Sequence, residues 1–202
     1  VLAEKMSAQA LQQYDLIIFA NTTGDLPLPD QQAFLDWIKS GKAFVGMHSC
    51  CDTFHGWPAY IQMLGGEFAG HQAQVGVECL NQDLKHAATA HLGPSFKVTK
   101  EEIYRFKNYD PKDCHELLVL DKDPNKPEIP GHFAVSWCKE YGKGKVFYTS
   151  LGHREDIWDD DTPPEFKREN SKEISQAYQQ HILGGIKWAL GLAPGDAKPQ
   201  TK

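Results

Sequence analysis

The chain has 202 residues, of which 41% are hydrophobic and 24% charged, with a formal net charge of −6. That composition describes one globular domain able to bury a core and excludes a disordered or fibrous chain. There is no basic run to track phosphates, the acidic cluster Asp159 to Asp161 repels a polyanion, and no apolar stretch nears the roughly 20 residues that span a bilayer. Neither nucleic acid nor a membrane is therefore expected as a partner.

Leu2, Met6 and Leu11, set among Ala, Glu and Gln, suit the end of an amphipathic helix over Val1 to Gln13. Tyr14 to Ala20, "YDLIIFA", is a short apolar run of the kind that forms a strand covered on both faces. "NTTGDLPLP" breaks regular structure. Pro29 then opens a helix whose Phe34, Leu35 and Ile38 form one stripe, and Gly41 stops it. Ala43 to Met47 is again strand-like. This β, α, β alternation predicts a parallel sheet covered by helices, with ligands gathered beyond the strands' carboxyl ends. His48 stands at one such end, and the loop from Asn21 begins at another.

"WPAYIQMLGG" predicts a short helix closed by Gly65 and Gly66. Beyond it, "QVGVECL", "FKVT", "ELLVLDKD" and "FAVSWCKEYGKGKVFYTSL" read as strands separated by Pro, Gly and Asp turns, with "YGKGK" as a hairpin connection. Ile174, Tyr178, Ile182, Ile186 and Leu190, four apart, predict a helix over Glu173 to Leu190 lying on the sheet. Trp37, Trp137 and Trp188 read as core anchors. The stretch from Ala193 is expected to fray, giving one domain over 1–192 and a flexible tail over 193–202. Five cysteines, Cys50, Cys51, Cys79, Cys114 and Cys138, without CxxC spacing, argue against a disulfide framework or a zinc knuckle and for a reducing, cytoplasmic setting. Export stays open, because the chain opens on Val1 and a leader could have been removed.

Three blocks carry a resemblance. They are "YDLIIFANTTGDLPLPDQQAFLDWIKSGKAFVGMHSCCDTFHGWPAYIQMLGGEFAGH", "EEIYRF", and "VSWCKEYGKGKVFYTSLGHREDIW" with "HILGGIKWALG". Together they resemble the ThuA-like family of trehalose-utilisation proteins. The resemblance implies an α/β, flavodoxin-like three-layer sandwich with a mostly parallel sheet, as in class I glutamine amidotransferases, whose first strand is missing here. Amidotransferases set a nucleophilic Cys in a G-x-C-x-G elbow and complete a triad with His-x-Glu. Here Gly46, Met47 and His48 occupy the elbow, and Gly152, His153, Arg154 and Glu155 resemble the second element. Imidazole replaces the thiol, which disfavours thioester chemistry; Cys50 and Cys51 are the nearby sulfurs, otherwise small buried hydrophobes.

The expected catalytic groups are His48, His153 and Glu102. Two chemistries suit them. With His71 they form a candidate site for a divalent metal such as zinc, held by His48, His71, Glu102 and His153. Without a metal, His153 oriented by Glu155 relays a proton, Glu102 is a second base or holds a sugar hydroxyl, and Tyr104 donates to an oxygen. Substrate contacts are expected from Asn21, Thr22, Asp52, Trp57, His71 and Tyr104, with Thr23 adding a hydroxyl and Phe54, Tyr60 and Trp158 flat faces for a pyranose.

Each residue also has a plain structural reading. His48 can cap the following helix, His71 can be a turn residue, and Glu102, beside Glu101, can be an exposed carboxylate. His55, His86, His91, His115, His132 and His181 read as surface or core histidines. Asp156 and Asp159 to Asp161 read as a solvated loop, with a lid over the site as the alternative. The function implied is that of a hydrolase or lyase on trehalose or a related sugar, including a keto-sugar. The alternatives are a non-catalytic carbohydrate- or partner-binding module and a thiol amidotransferase. The β-rich middle is a candidate surface for homo-oligomerisation.

Overall fold

A computed structural model describes residues 2–163 and 165–200 of the chain. Two short helices, α1 (Leu2–Lys5) and α2 (Ala8–Leu11), stand where one helix was expected; Val1 lies outside the described residues. Ser7 divides them, because it adopts an extended conformation and its hydroxyl caps α2 by accepting from the Ala10 N–H at 3.2 Å. The strand β1 (Leu16–Ala20), the helix α3 (Gln31–Lys39) and the strand β2 (Ala43–Met47) follow as anticipated. Asp30 caps α3 from outside, its carboxylate accepting from Ala33 N–H at 2.8 Å, so the helix starts two residues after Pro29. A 3-10 helix, His48–Asp52, leads to α4 (Pro58–Leu64), which Gly65 closes in the left-handed region at φ 95°.

The remaining elements are β3 (Glu67–His71), β4 (Val75–Asn81), β5 (Ser95–Glu101), β6 (Tyr104–Lys107), β7 (His115–Asp123), β8 (Lys126–Tyr141), β9 (Gly144–Thr149), α5 (Glu155–Trp158) and α6 (Lys172–Ala189). One sheet of 7 strands has the order β1-β2-β9-β8-β7-β4-β5, and β3 pairs with β6 in a second, two-stranded sheet. Only β1, β2 and β9 are parallel; from β9 to β5 every pairing is antiparallel. The mostly parallel, flavodoxin-like sheet is thus corrected to a mixed one. A parallel neighbour needs a crossover of a dozen or more residues, usually helical, and no α-helix lies between β4 and β9.

The parallel half keeps the layered arrangement. On one face Phe19, Phe44 and Tyr148 pack with Phe34, Leu35 and Ile38 of α3 and Tyr60, Met63 and Leu64 of α4. On the other, Val45 and Phe147 pack with Trp188 of α6. Burial on both faces is why β2 reads as an unbroken apolar run. The segment expected to fray instead returns to the body: Pro194 and Gly195 carbonyls accept from Ala87 N–H and Trp188 Nε1, and Gln200 exchanges hydrogen bonds with the Glu116 backbone. Thr201 and Lys202 of that tail lie outside the described residues. Asp156, placed with the acidic loop by its neighbours, is fully buried, its carboxylate held by Arg154 and by the backbone and side chain of Asn170.

Candidate active site

The site forms where β2 and β9 end side by side. Their parallel register pairs Met47 with Thr149, so the chain leaves both strands at the same rim. At that rim His48 takes φ 45°, the left-handed region that a non-glycine residue enters at a cost of about 1–3 kcal/mol. Gly46 permits the tight exit: a Cβ there would lie 2.7 Å from Cys50 Sγ, so a side chain would push the 3-10 helix away. The His48 ring is buried, and its Nδ1–H donates to the Ser150 carbonyl at 2.7 Å. That bond fixes the tautomer and leaves the Nε2 lone pair facing the site.

Three groups surround that lone pair. The Tyr104 hydroxyl donates to it at 2.7 Å, His153 Nδ1 lies 3.3 Å away and Glu102 Oε1 3.6 Å away. Glu102 Oε1 is also 3.5 Å from His153 Nδ1, while its Oε2 faces His71 Nδ1 at 3.1 Å. Glu102 is nearly buried, whereas His71 and His153 are each about half exposed, so solvent reaches the centre from their side. Burial pushes the His48 pKa down to about 4; the Ser150 bond opposes this, and charge on His153 or His71 adds to it. At neutral pH the ring is therefore an uncharged acceptor. Burial pushes the Tyr104 hydroxyl pKa far up, keeping it a donor.

His48, Glu102 and His153 are a group that could hold a metal ion, one ligand atom from each. The other expected residues are placed differently. Asn21 Nδ2 donates to the Gly152 carbonyl at 3.0 Å and steadies the loop before His153. Thr22 is bonded to Thr53 at 2.8 Å, and Trp57 packs on Tyr60 and Phe34 in the core cluster. Asp52 accepts from Thr23 and from His55 Nε2–H. Glu155 is exposed on α5, and the carboxylate that faces His153 is Glu102. Cys50 and Cys51 are buried thiols paired with Tyr60 and Tyr148 hydroxyls, and burial pushes the Cys51 pKa up to about 12 and that of Cys50 higher. Neither is a thiolate at neutral pH.

Two features escaped the sequence reading. Glu101 is fully buried, and burial pushes its pKa up to about 7 against the pull of backbone N–H groups. Alternation along β5 directs Phe96 and Val98 inward and so assigns position 101 to solvent. A bulge reverses this, since Val77 pairs with Val98 but Val75 with Glu101. The second is His55, whose two nitrogens each donate at 2.6 Å, one to Glu67 and one to Asp52.

Comparison with known proteins supports the architecture. The fold matches a ThuA-like protein from Parabacteroides merdae with a TM-score of 0.71 at 16% identity, covering 94% of this chain and 79% of that one. A ThuA-like protein from Bacteroides uniformis matches at 0.64 and 20% identity, over 92% and 73%. A β-galactosidase from Bacillus circulans sp. alkalophilus matches at 0.55 and 13% identity, over 93% of this chain and 24% of that one. No curated protein is significantly similar in sequence. The family model described as ThuA, trehalose utilisation, matches residues 2–189. With nearly the whole length matched, the chain belongs to the ThuA family of trehalose-utilisation proteins.

Proposed function

We propose that the chain is a carbohydrate hydrolase or lyase whose centre is His48, Glu102 and His153 around a divalent ion of the zinc type. One observation carries this reading: three ligand atoms from distant parts of the chain form a triangle with edges of 3.3, 3.5 and 3.6 Å. A tetrahedral ion with bonds of about 2.0–2.1 Å spaces its ligand atoms roughly 3.3–3.4 Å apart, so the triangle fits one face of such a site. A metal there supplies Lewis-acid polarisation of a substrate oxygen or of water.

The chain's own groups do the rest. The Ser150 carbonyl keeps His48 presenting Nε2, and His71, whose Nδ1–H donates to the Gln72 carbonyl, borders the outer oxygen of Glu102 at 3.1 Å. The Tyr104 hydroxyl, bonded to His48 Nε2, would turn to a sugar oxygen if a metal took that lone pair. His153, half exposed, borders the open side where substrate approaches. The family's trehalose description supports the substrate class.

The test is elemental analysis of protein purified without chelator, alongside turnover of trehalose and of its keto derivatives. Stoichiometric metal that is lost together with turnover in His48→Ala and Glu102→Gln is expected. Metal-free wild-type protein with full turnover would overturn the metal and leave acid–base chemistry by the same residues. A second reading is a non-catalytic carbohydrate- or partner-binding module, the fold recurring over about a quarter of a β-galactosidase chain. It predicts sugar binding by calorimetry that survives Glu102→Gln, with no turnover in the wild type.

A further inference from the structure

Glu102 and His153 reach the site from segments some fifty residues apart, and something must hold those segments in register. The loop Ser150 to Gly152 is pinned almost atom by atom. Ser150 N–H donates to Val135, Ser150 carbonyl accepts from His48, Leu151 carbonyl from the Tyr178 hydroxyl, and Gly152 carbonyl from Asn21. Those contacts tie the loop to the start of the 3-10 helix, β8, α6 and the end of β1. The link to the segment carrying Glu102 is the buried side chain of Glu101. Its Oε1 accepts from the Glu102 N–H at 2.7 Å and its Oε2 from the Gly152 N–H at 3.2 Å, and the Arg154 N–H bonds to the same carboxylate.

We infer that Glu101 is a positioning residue, a buried carboxylate clamp that brackets His153 through its two backbone neighbours and fixes Glu102 beside it. The bulge in β5 exists to turn this side chain inward. Asn170, itself buried, satisfies the amides the bulge frees: its Oδ1 accepts from Thr99 and Lys100 N–H at 3.0 and 3.1 Å, and its Nδ2 donates to the Lys100 carbonyl. Gly76 opposite makes room, since a Cβ there would lie 2.8 Å from the Thr99 carbonyl oxygen. Carboxylate chemistry is required as well as shape. Three N–H donors converge on two acceptor oxygens, and an amide would present its own donor to one of them. The inference rests on the site proposed above, but only on its geometry.

The decisive variants are Glu101→Gln and Glu101→Asp, the second retaining charge but one methylene short of the Gly152 amide. Cobalt(II) is the probe, followed by its visible absorption, together with the nuclear Overhauser contact between the His48 and His153 rings. In a folded Glu101→Gln protein we expect cobalt affinity to fall roughly 10–100-fold, the range for lost outer partners of metal ligands, and the ring contact to vanish. Trp137 and Trp188 signals stay unchanged. Affinity within twofold of wild type with the ring contact kept would overturn the clamp. If wild-type protein takes up no cobalt, the metal reading fails, and the ring contact alone decides Glu101: lost in the variant it supports the clamp, kept it refutes it. If both variants unfold, hydrogen exchange of the wild-type Gly152 and Arg154 amides decides, slow exchange supporting the clamp and exchange at loop rates ending it.

Discussion

Two histidine–carboxylate clusters lie at the two ends of the 3-10 helix His48–Asp52, and they have opposite electrostatics. Around His55 every nitrogen and oxygen is matched: two carboxylates at 2.6 Å, with Lys107 at 3.0 Å and Asn108 at 2.7 Å completing Glu67. A ring donating from both nitrogens is an imidazolium, and the bonds to Glu67 and then Asp52 hold its pKa up. Around His48 the ring is buried and neutral, its Nε2 accepts from the Tyr104 hydroxyl at 2.7 Å, and Nε2, His153 Nδ1 and Glu102 Oε1 lie 3.3–3.6 Å from one another, near the spacing of ligands on a shared cation. Nearness of His to carboxylate therefore does not mark a site. What sets the proposed site apart is three ligand atoms converging at a metal's spacing, with the His48 ring fixed from behind by a backbone carbonyl.

The contrast is broken most directly by exchanging one ligand from each cluster. His48→Gln or Glu102→Gln should reduce zinc affinity by about 100-fold or more and, if acid–base work is also lost, turnover by roughly 10²–10⁴. His55→Gln should leave both within about twofold. Equal losses from the two substitutions would show that the clusters act as one.

Stability should answer the other way. His55→Ala removes the cation between Asp52 and Glu67 and should cost about 1 kcal/mol in denaturant titration, the low end for a hydrogen-bonded charge because the ring is partly exposed. No change in the unfolding midpoint would make that network ornamental.

pH sharpens the comparison further. His55 has a raised folded pKa, so its contribution is full below about pH 6.5 and is lost as pH rises through the folded value. The gap in melting temperature between wild type and His55→Ala should narrow from pH 6 to pH 9. His48 has a lowered folded pKa, so the unfolded chain binds the extra proton between about pH 6.5 and pH 4. Metal-stripped wild type should lose stability across that window more steeply than His48→Gln. The smallest effect is expected from Cys51→Ala, which should leave turnover within twofold and cost at most about 1–2 kcal/mol through the lost Tyr148 contact and packing. Loss of activity on alkylating a folded protein would instead revive a thiol mechanism.

Much of this was legible in the chain. Periodicity placed β1, α3, β2 and α6, and the abrupt change from apolar to polar at Met47–His48, repeated at Leu151–His153, marked two strand ends on one rim. Family resemblance added Glu102 and His71, which no spacing would have joined to them. The antiparallel half was misjudged although its sign was present: no helix-length crossover follows Gly66 until Glu173, so those strands had to turn back on themselves. Glu101 and His55 could not be read. Glu101 depends on one extra residue in β5, which inverts the alternation that sequence reasoning relies on, and His55 depends on partners brought by β3 and the 3-10 helix.

What the sequence determined alone is local: which stretches are strands or helices, where they stop, and which side chains at those stops can ligate or titrate. These follow from backbone preferences and apolar spacing within a few residues. Which nitrogen meets which oxygen, which carboxylate is buried and which imidazole stays neutral were decided by tertiary structure, because burial, bulges and ring tautomers depend on neighbours from about a dozen to a hundred residues away.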